Sequence, residues 1–139
     1  MTLQTELAAG LNVLDLSIPA AAQTRLLRFI ALMAKWNAVY NLTAIREESR
    51  MLTHHLLDAL SIARFIPDGS TLIDIGSGGG VPGIPLAIAR PDLDVLSIEP
   101  NSKKASFQQQ VRIDLGLENF DVQIARAEAV ELPQSRDFI

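Results

Sequence analysis

The 139-residue chain is 48% hydrophobic and 20% charged, with a formal net charge of −4 and no cysteine. This composition excludes a disordered chain, a disulfide framework and thiolate metal ligands. No apolar run approaches the ~20 residues of a membrane-spanning helix, and no basic stretch precedes an apolar one at the N-terminus, so we expect a cytoplasmic protein without a membrane segment. The net negative charge gives no general affinity for polyanions, and nucleic-acid recognition would need a local basic patch.

Residues 1–69 are predicted to form an N-terminal helical region. A short helix is expected over 3–11, ending at or near Gly10. A longer amphipathic helix is expected over 19–36, because apolar side chains recur there at the spacing of one helix face. A polar break follows over 37–46. The next helix is predicted by an apolar stripe at Leu52, His55, Leu56, Ala59, Ile62, Ala63 and Ile66.

From residue 70 onward, short strand signals alternate with helix signals. This alternation predicts an α/β fold with a Rossmann-like parallel sheet. The predicted elements are strands over 71–75, 94–99 and 121–125, a helix over 81–90 with Pro82 in its first turn, and a helix from a cap at Asn101 or Ser102 to Leu115, closed by Gly116.

The last residues predict a helical turn near 128–132 and the start of a fourth strand near 136. Two apolar residues at the end of an incomplete sheet would leave an unpaired edge. We therefore expect residues 70–139 to be the Rossmann-like part of a fragment or truncated variant that stops after about the fourth strand.

A glycine-rich turn follows the first predicted strand. Gly76, Gly78 and Gly80 lie where a strand turns sharply into a helix and a ligand must approach the backbone closely. Glu99 ends the next strand, so its carboxylate is expected beside the same crevice, where it can accept hydrogen bonds from both ribose hydroxyls of an adenosine. The turn and the acid together predict a nucleotide-containing cofactor, with a plain tight loop as the structural alternative.

Two cofactor classes fit such a turn. The segment Gly78 to Gly83 satisfies the G-x-G-x-x-G pattern of nicotinamide and flavin dinucleotide sites. However, Asp74 lies at the mouth of the strand, where it would repel a pyrophosphate and attract a cation. S-adenosylmethionine carries an ammonium and a sulfonium, so Asp74 favours this cofactor over a dinucleotide.

Several further motifs accompany the glycine turn and Glu99. They are Lys35-Trp36-Asn37, Tyr40-Asn41-Leu42-Thr43, His55-Leu56-Leu57-Asp58, Gly80-Val81-Pro82-Gly83-Ile84-Pro85-Leu86 and Lys103-Lys104. With these motifs, the chain resembles the ribosomal RNA small subunit methyltransferase G family, also called glucose-inhibited division protein B, from about Leu26 to Glu128. That resemblance implies a methyltransferase that uses S-adenosylmethionine to methylate N7 of one guanine in 16S ribosomal RNA.

The resemblance also implies roles for single residues. Gly76 and Val81 would lie against the cofactor, and Glu99 would bind its ribose. Ala127 and Glu128 would lie beside the adenine, where a backbone N–H can bond to the ring. The cofactor-binding candidates are therefore Asp74, Gly76, Gly78, Gly80, Val81, Glu99, Ala127 and Glu128.

Several polar residues are candidates for positioning the RNA rather than for acid or base catalysis. Guanine N7 carries no proton, so methyl transfer to it needs no general base, and no catalytic dyad is expected. The resemblance places Arg126 at the rim between cofactor and RNA. The substrate-positioning candidates are Asn41, His55, Asp58, Lys103, Lys104 and Arg126.

Each of these candidates also has a structural interpretation. Two histidines and one acid are too few for a metal site, so no metal is expected, and His55 is interpreted as a hydrogen-bonded histidine at the pocket rim. Trp36 and Tyr40 could stack on bases, but their spacing favours the core. The basic cluster Lys103, Lys104 and Arg112 could equally be a solvated helix face.

We expect a monomer whose partner is 16S ribosomal RNA or the small ribosomal subunit. Two alternatives remain open at this point. A methyltransferase of the same fold could act on a small molecule or a protein, or the truncated chain could bind the cofactor without turnover.

Overall fold

A computed structural model describes residues 2–76, 78–126, 128 and 137–138 of the chain. Its N-terminal region is helical, as predicted. The elements in chain order are α1 (Leu3–Val13), α2 (Ala20–Tyr40), α3 (Glu48–Met51), a π-helical segment (Leu52–Leu57), α4 (Asp58–Leu60) and a 3-10 turn (Ala63–Phe65).

Helix α1 continues past the glycine that was expected to end it. The Thr2 hydroxyl accepts a hydrogen bond from the Thr5 N–H at 3.1 Å and caps the helix start. Gly10 lies within the helix, and a Cβ there would collide with the side chain of Leu57. The glycine therefore allows α1 to approach the neighbouring π-helical segment closely, and the predicted end at Gly10 is wrong.

Helix α2 is also longer than predicted, because it runs to Tyr40 instead of stopping near residue 36. Asn37 was assigned to a polar break, but it is a buried helical residue. Its side-chain oxygen accepts from the Thr43 N–H at 2.9 Å, and its amide donates to the Ile45 carbonyl at 3.2 Å. The Asn37 side chain thus holds the following loop against the helix. Asn41 ends the helix in the left-handed conformation.

The elements of the Rossmann-like part are β1 (Thr71–Ile75), α5 (Gly83–Ala89), β2 (Asp94–Glu99), α6 (Ser102–Leu115), β3 (Phe120–Ile124) and β4 (Asp137–Phe138). Among the described residues, these four strands are parallel and lie in the order β3-β2-β1-β4. The expected α/β fold with a parallel sheet is confirmed, and the predicted bounds of the first two strands are correct. The third strand starts and ends one residue before its predicted bounds.

Helix α6 matches its prediction at both ends, whereas α5 starts later than expected. The Asn101 side chain accepts from the Lys104 N–H at 3.0 Å, and Gly116 ends α6 with a positive φ. Pro82 precedes α5 rather than occupying its first turn, and the Val81–Pro82 peptide bond is cis. The predicted turn near 128–132 lies outside the described residues, apart from Glu128.

A single hydrophobic core joins the helical region to the sheet. Helix α2 packs on α5 and α6, and the rings of Phe29 and Phe107 lie 6.2 Å apart at the centre of this contact. Within the described part of the chain, no helix is long and apolar enough to cross a membrane. Because the core is shared, α2 and the loop after it are held against the glycine turn.

Candidate cofactor site

The glycine turn lies at the carboxyl end of β1, next to the carboxyl end of β2. Gly76 and Gly78 have φ values of +68° and +62°, a region that side chains disfavour, and a Cβ at either position would meet open space. Gly80 is restricted by packing as well, since a Cβ there would overlap Ile84. The turn therefore leaves an open strip of backbone at the edge of the sheet where ligands of parallel α/β folds bind.

Glu99 ends β2 and reaches across to this turn. Its side chain is 95% buried, and its two oxygens accept hydrogen bonds from the Gly78 N–H at 2.7 Å and the Asn101 N–H at 2.8 Å. A carboxylate has about four lone-pair sites, so acceptor capacity is left for a ligand's hydroxyl groups. The position expected for Glu99 agrees with this geometry, and its role toward a ribose stays a prediction.

Asp74 lies beneath the turn rather than at its surface. The residue is buried, and its carboxylate accepts from the Gly83 N–H at 2.9 Å, at the start of α5. Burial raises the pKa of Asp74 to about 6, the Gly83 hydrogen bond lowers it, and the nearby charge of Glu99 raises it further. The structure thus places Asp74 behind the turn, and its role toward a cofactor stays a prediction.

A shallow cleft of about 270 Å³ opens beside Gly76. Ile75 and Pro100 give it apolar walls, and Arg126 and Glu128 lie at its rim. Apolar walls with charged groups at the edge suit a flat heterocyclic ring that carries polar substituents. Ala127, the other residue expected beside the adenine, lies outside the described residues.

A second cavity of about 240 Å³ separates the glycine turn from the helical region. Gly78, Gly79 and Val81 form one wall, and Thr43 and His55 lie on the opposite side. The His55 Nε2 atom lies 2.9 Å from the Thr43 hydroxyl oxygen. The hydrogen bond expected for His55 therefore joins it to the loop after α2.

The electrostatic surroundings of His55 favour its neutral form. Burial lowers the pKa of His55, the neighbouring His54 lowers it further, and Asp58 raises it. Asp58 itself is exposed. The rim position expected for His55 agrees with the structure, and a contact of either residue with substrate stays a prediction.

The expected basic cluster is smaller than predicted. Lys103 lies in the first turn of α6 with its Nζ atom 4.8 Å from the centre of the Tyr40 ring. Lys104 is adjacent and half-buried. Arg112 belongs to the last turn of α6, where it donates to the Phe120 carbonyl at 3.1 Å. Arg112 is therefore bound to the start of β3, and its inclusion in the cluster was wrong.

The two aromatic residues of α2 have different environments. Trp36 is half-buried and packs edge-on against Phe107, with 5.6 Å between ring centres. Tyr40 is 41% exposed and stacks on Trp36 and Lys103. Asn41 accepts from the Arg46 guanidinium at 3.3 Å and is exposed. The core interpretation fits Trp36, while Tyr40 and Asn41 present polar groups to solvent.

Two residues at the site were not singled out in the sequence. Gln108 is fully buried on α6 and donates from its side-chain amide to the Gly78 carbonyl at 2.7 Å. Gly79 was also not singled out, although it lines the cavity opposite His55. A glutamine within a run of three, Gln108 to Gln110, has no pattern that distinguishes the buried one from its neighbours.

The fold and the site define a Rossmann-like protein with a nucleotide-cofactor crevice at the carboxyl ends of its strands. The family GidB, rRNA small subunit methyltransferase G, matches residues 22–139. The chain is 54% identical over 94% of its length to ribosomal RNA small subunit methyltransferase G of Azoarcus sp. strain BH72, and 49% identical over 100% to that of Chromobacterium violaceum. The chain therefore belongs to the rRNA small subunit methyltransferase G family.

The similarity spans only part of these relatives. The chain covers 62% of the Azoarcus protein and 67% of the Chromobacterium protein. Among solved structures, a coclaurine N-methyltransferase bound to N-methylheliamine and SAH superposes with a TM-score of 0.52 at 19% identity, covering 76% of this chain and 32% of that one. The superposition shows a shared methyltransferase fold.

Proposed function

We propose that the chain binds S-adenosylmethionine in the crevice between the glycine turn and Glu99. The observation that carries this proposal is the Glu99 carboxylate, which is held by the N–H groups of Gly78 and Asn101 beside the open backbone of Gly76. Held in this way, Glu99 can accept from two vicinal hydroxyls of a ribose. The buried charge of Asp74 favours a cationic cofactor over a pyrophosphate.

The proposed reaction is transfer of the cofactor's methyl group to N7 of a guanine in 16S ribosomal RNA. Bound S-adenosylmethionine would supply an activated methyl group, and guanine N7 offers a lone pair that carries no proton. No proton is removed, so catalysis consists of alignment and of a field that tolerates a cation. Asp74 and Glu99 supply that field, and family membership supports the substrate.

Cofactor binding is tested by isothermal titration calorimetry with S-adenosylmethionine, S-adenosylhomocysteine and a nicotinamide dinucleotide. The Glu99→Gln variant should weaken S-adenosylmethionine binding at least about tenfold, because one charged acceptor for the ribose is lost. Glu118→Gln, an exposed acid after α6, is the matched control and should bind as the wild type. Preferential binding of the dinucleotide would refute the cofactor assignment.

Turnover is tested with labelled S-adenosylmethionine and either small ribosomal subunits or naked 16S ribosomal RNA. Label in the RNA at a guanine N7 supports the proposed reaction. Cofactor binding without transfer to any acceptor would make the chain a binding module. Label in a small molecule or protein would indicate a different acceptor.

The surface formed by Lys103 and Lys104 is proposed to contact RNA phosphates. Reversing both charges to glutamate should weaken RNA retention and reduce its salt dependence, while cofactor affinity stays unchanged. A matched double reversal at Arg25 and Arg64, which are exposed near the opposite end of the sheet, should have a smaller effect. Equal effects of the two double variants would remove this surface from the proposal.

We further propose that the protein acts in the cytoplasm as a monomer. A ribosomal RNA substrate supports the cytoplasmic location. Multi-angle light scattering checks the monomeric state, and a mass of two chains would contradict it.

A further inference from the structure

The side-chain amide of Gln108 is a buried polar group that points at the glycine turn rather than along its own helix. Gln108 is 0% exposed. Its amide nitrogen donates to the Gly78 carbonyl at 2.7 Å, a short and therefore strong contact for two neutral groups. Its Cγ atom would lie 3.3 Å from a Cβ at Gly80. Gln108 thus touches two of the glycines that shape the turn.

Gly78 is held from both sides. Its N–H donates to Glu99 at 2.7 Å, and its carbonyl accepts from Gln108. Because each peptide unit is planar, the N–H bond orients the plane before Gly78 and the carbonyl orients the plane after it, and the two planes together set φ and ψ of Gly78. The two hydrogen bonds together hold Gly78 at a φ of +62°, one of many conformations open to glycine.

We propose that Gln108 is a positioning residue for the cofactor: by holding the Gly78 carbonyl, it aligns the Gly78 N–H with Glu99 and orients the carboxylate that receives the ribose. This inference rests on the proposed function. The site is then preorganised before the cofactor arrives. The conformational entropy of the glycine turn is lost when the chain folds rather than when the cofactor binds. Gln108 acts through Gly78 and Glu99 and does not touch the cofactor.

The Gln108→Leu variant removes the donor and keeps a side chain of similar size. The Gly78 carbonyl then loses this partner, and the turn regains freedom that binding must remove. Affinity for S-adenosylmethionine should fall about tenfold, the equivalent of one hydrogen bond to a buried group. Gln109→Leu is the matched control, because Gln109 is half-buried, lies next in the same helix and faces the groove beside β3. Its affinity should equal that of the wild type.

The Gln108→Glu variant separates positioning from a general loss of packing. A protonated carboxyl can donate to the Gly78 carbonyl as the amide does, whereas a carboxylate cannot and would face Glu99. The ratio of variant to wild-type affinity should therefore rise toward one as the pH falls from about 8 to about 5.5. A merely structural role would leave this ratio independent of pH, and Gln109→Glu should show no such change.

The outcomes are distinct. Affinity for S-adenosylmethionine that falls in Gln108→Leu and recovers with acid in Gln108→Glu supports the inference. Wild-type affinity in Gln108→Leu, or a pH-independent ratio in Gln108→Glu, overturns it while the proposed function stands. A wild-type chain that does not bind S-adenosylmethionine overturns both.

Discussion

The charged side chains at the two ends of the parallel sheet have different kinds of partner. At the amino end, Arg90 donates to the carbonyls of Ala63 at 2.7 Å and Ile66 at 3.1 Å, and pairs with Asp92 at 2.8 Å. At the carboxyl end, Asp74 and Glu99 accept from backbone N–H groups, and within residues 2–76 and 78–126 neither forms an ion pair. The opposite charges at the amino end of the sheet therefore neutralise each other. The two acids at the carboxyl end retain negative charge that a cationic ligand can compensate.

The difference also appears in the pKa values of the acids. The Arg90 guanidinium and the Gly69 N–H hold the pKa of Asp92 well below its usual range. Burial without a cationic partner raises the pKa of Asp74 to about 6. A neutralised cluster stabilises the fold, whereas a buried acid of this kind is typical of functional sites. We therefore expect the amino end to contribute to stability and the carboxyl end to contribute to binding.

The largest expected effect is at the amino end. Arg90→Met removes hydrogen bonds that join the segment before β1 to the end of α5, and should lower the free energy of unfolding by about 3 to 4 kcal/mol. Chemical denaturation measures this loss. Arg64→Met, an exposed arginine in the same region, is the control and should be nearly neutral. Equal losses in the two variants would break the comparison.

The next largest expected effect is the pH dependence of stability that Asp74 causes at the carboxyl end of the sheet. Because the folded pKa of Asp74 is raised from 3.8 to about 6, its contribution to stability is fully present below the unfolded pKa and is lost as the pH rises through about 6. Asp74→Asn keeps an acceptor for the Gly83 N–H. Because asparagine does not ionise, the variant does not lose stability as the pH rises through this range. Its stability relative to the wild type should rise by about 2 kcal/mol between pH 4 and pH 7.

Denaturation of Asp74→Asn and the wild type at several pH values tests this prediction. Asp15→Asn, at an exposed acid after α1, is the control for the loss of one negative charge. A constant difference between Asp74→Asn and the wild type would show that the carboxyl of Asp74 does not titrate in this range.

The smallest expected effect comes from a comparison of one glycine at each end of the sheet. Gly76 and Gly69 have φ values of +68° and +71°, and a Cβ at either would meet open space. Valine at either position should cost about 1 to 2 kcal/mol of stability through backbone strain. Gly76→Val should also weaken S-adenosylmethionine binding about tenfold by filling the crevice, whereas Gly69→Val should not. Calorimetry that finds wild-type affinity in Gly76→Val would refute the glycine-turn assignment.

The strands of the Rossmann-like part were predictable because their signals are local. Thr71 to Ile75 is a short apolar run closed by a glycine, and β2 ends at Glu99 before a proline. The continuation of α1 through Gly10 and of α2 through Asn37 was not predictable. Glycine and asparagine usually interrupt a helix, but here Gly10 allows close contact with the distant Leu57, and Asn37 holds the loop that follows its own helix.

The sequence alone determined where the crevice lies, since Gly76 and Gly78 follow the first strand of the sheet and the acid Glu99 ends the second. The tertiary structure decided which groups hold those residues in place. Packing of α6 brings Gln108 to Gly78, the start of α5 brings the Gly83 N–H to Asp74, and the fold carries Arg112 away from the lysines to β3. Buried polar groups must find partners, and only the folded chain determines which partners are near.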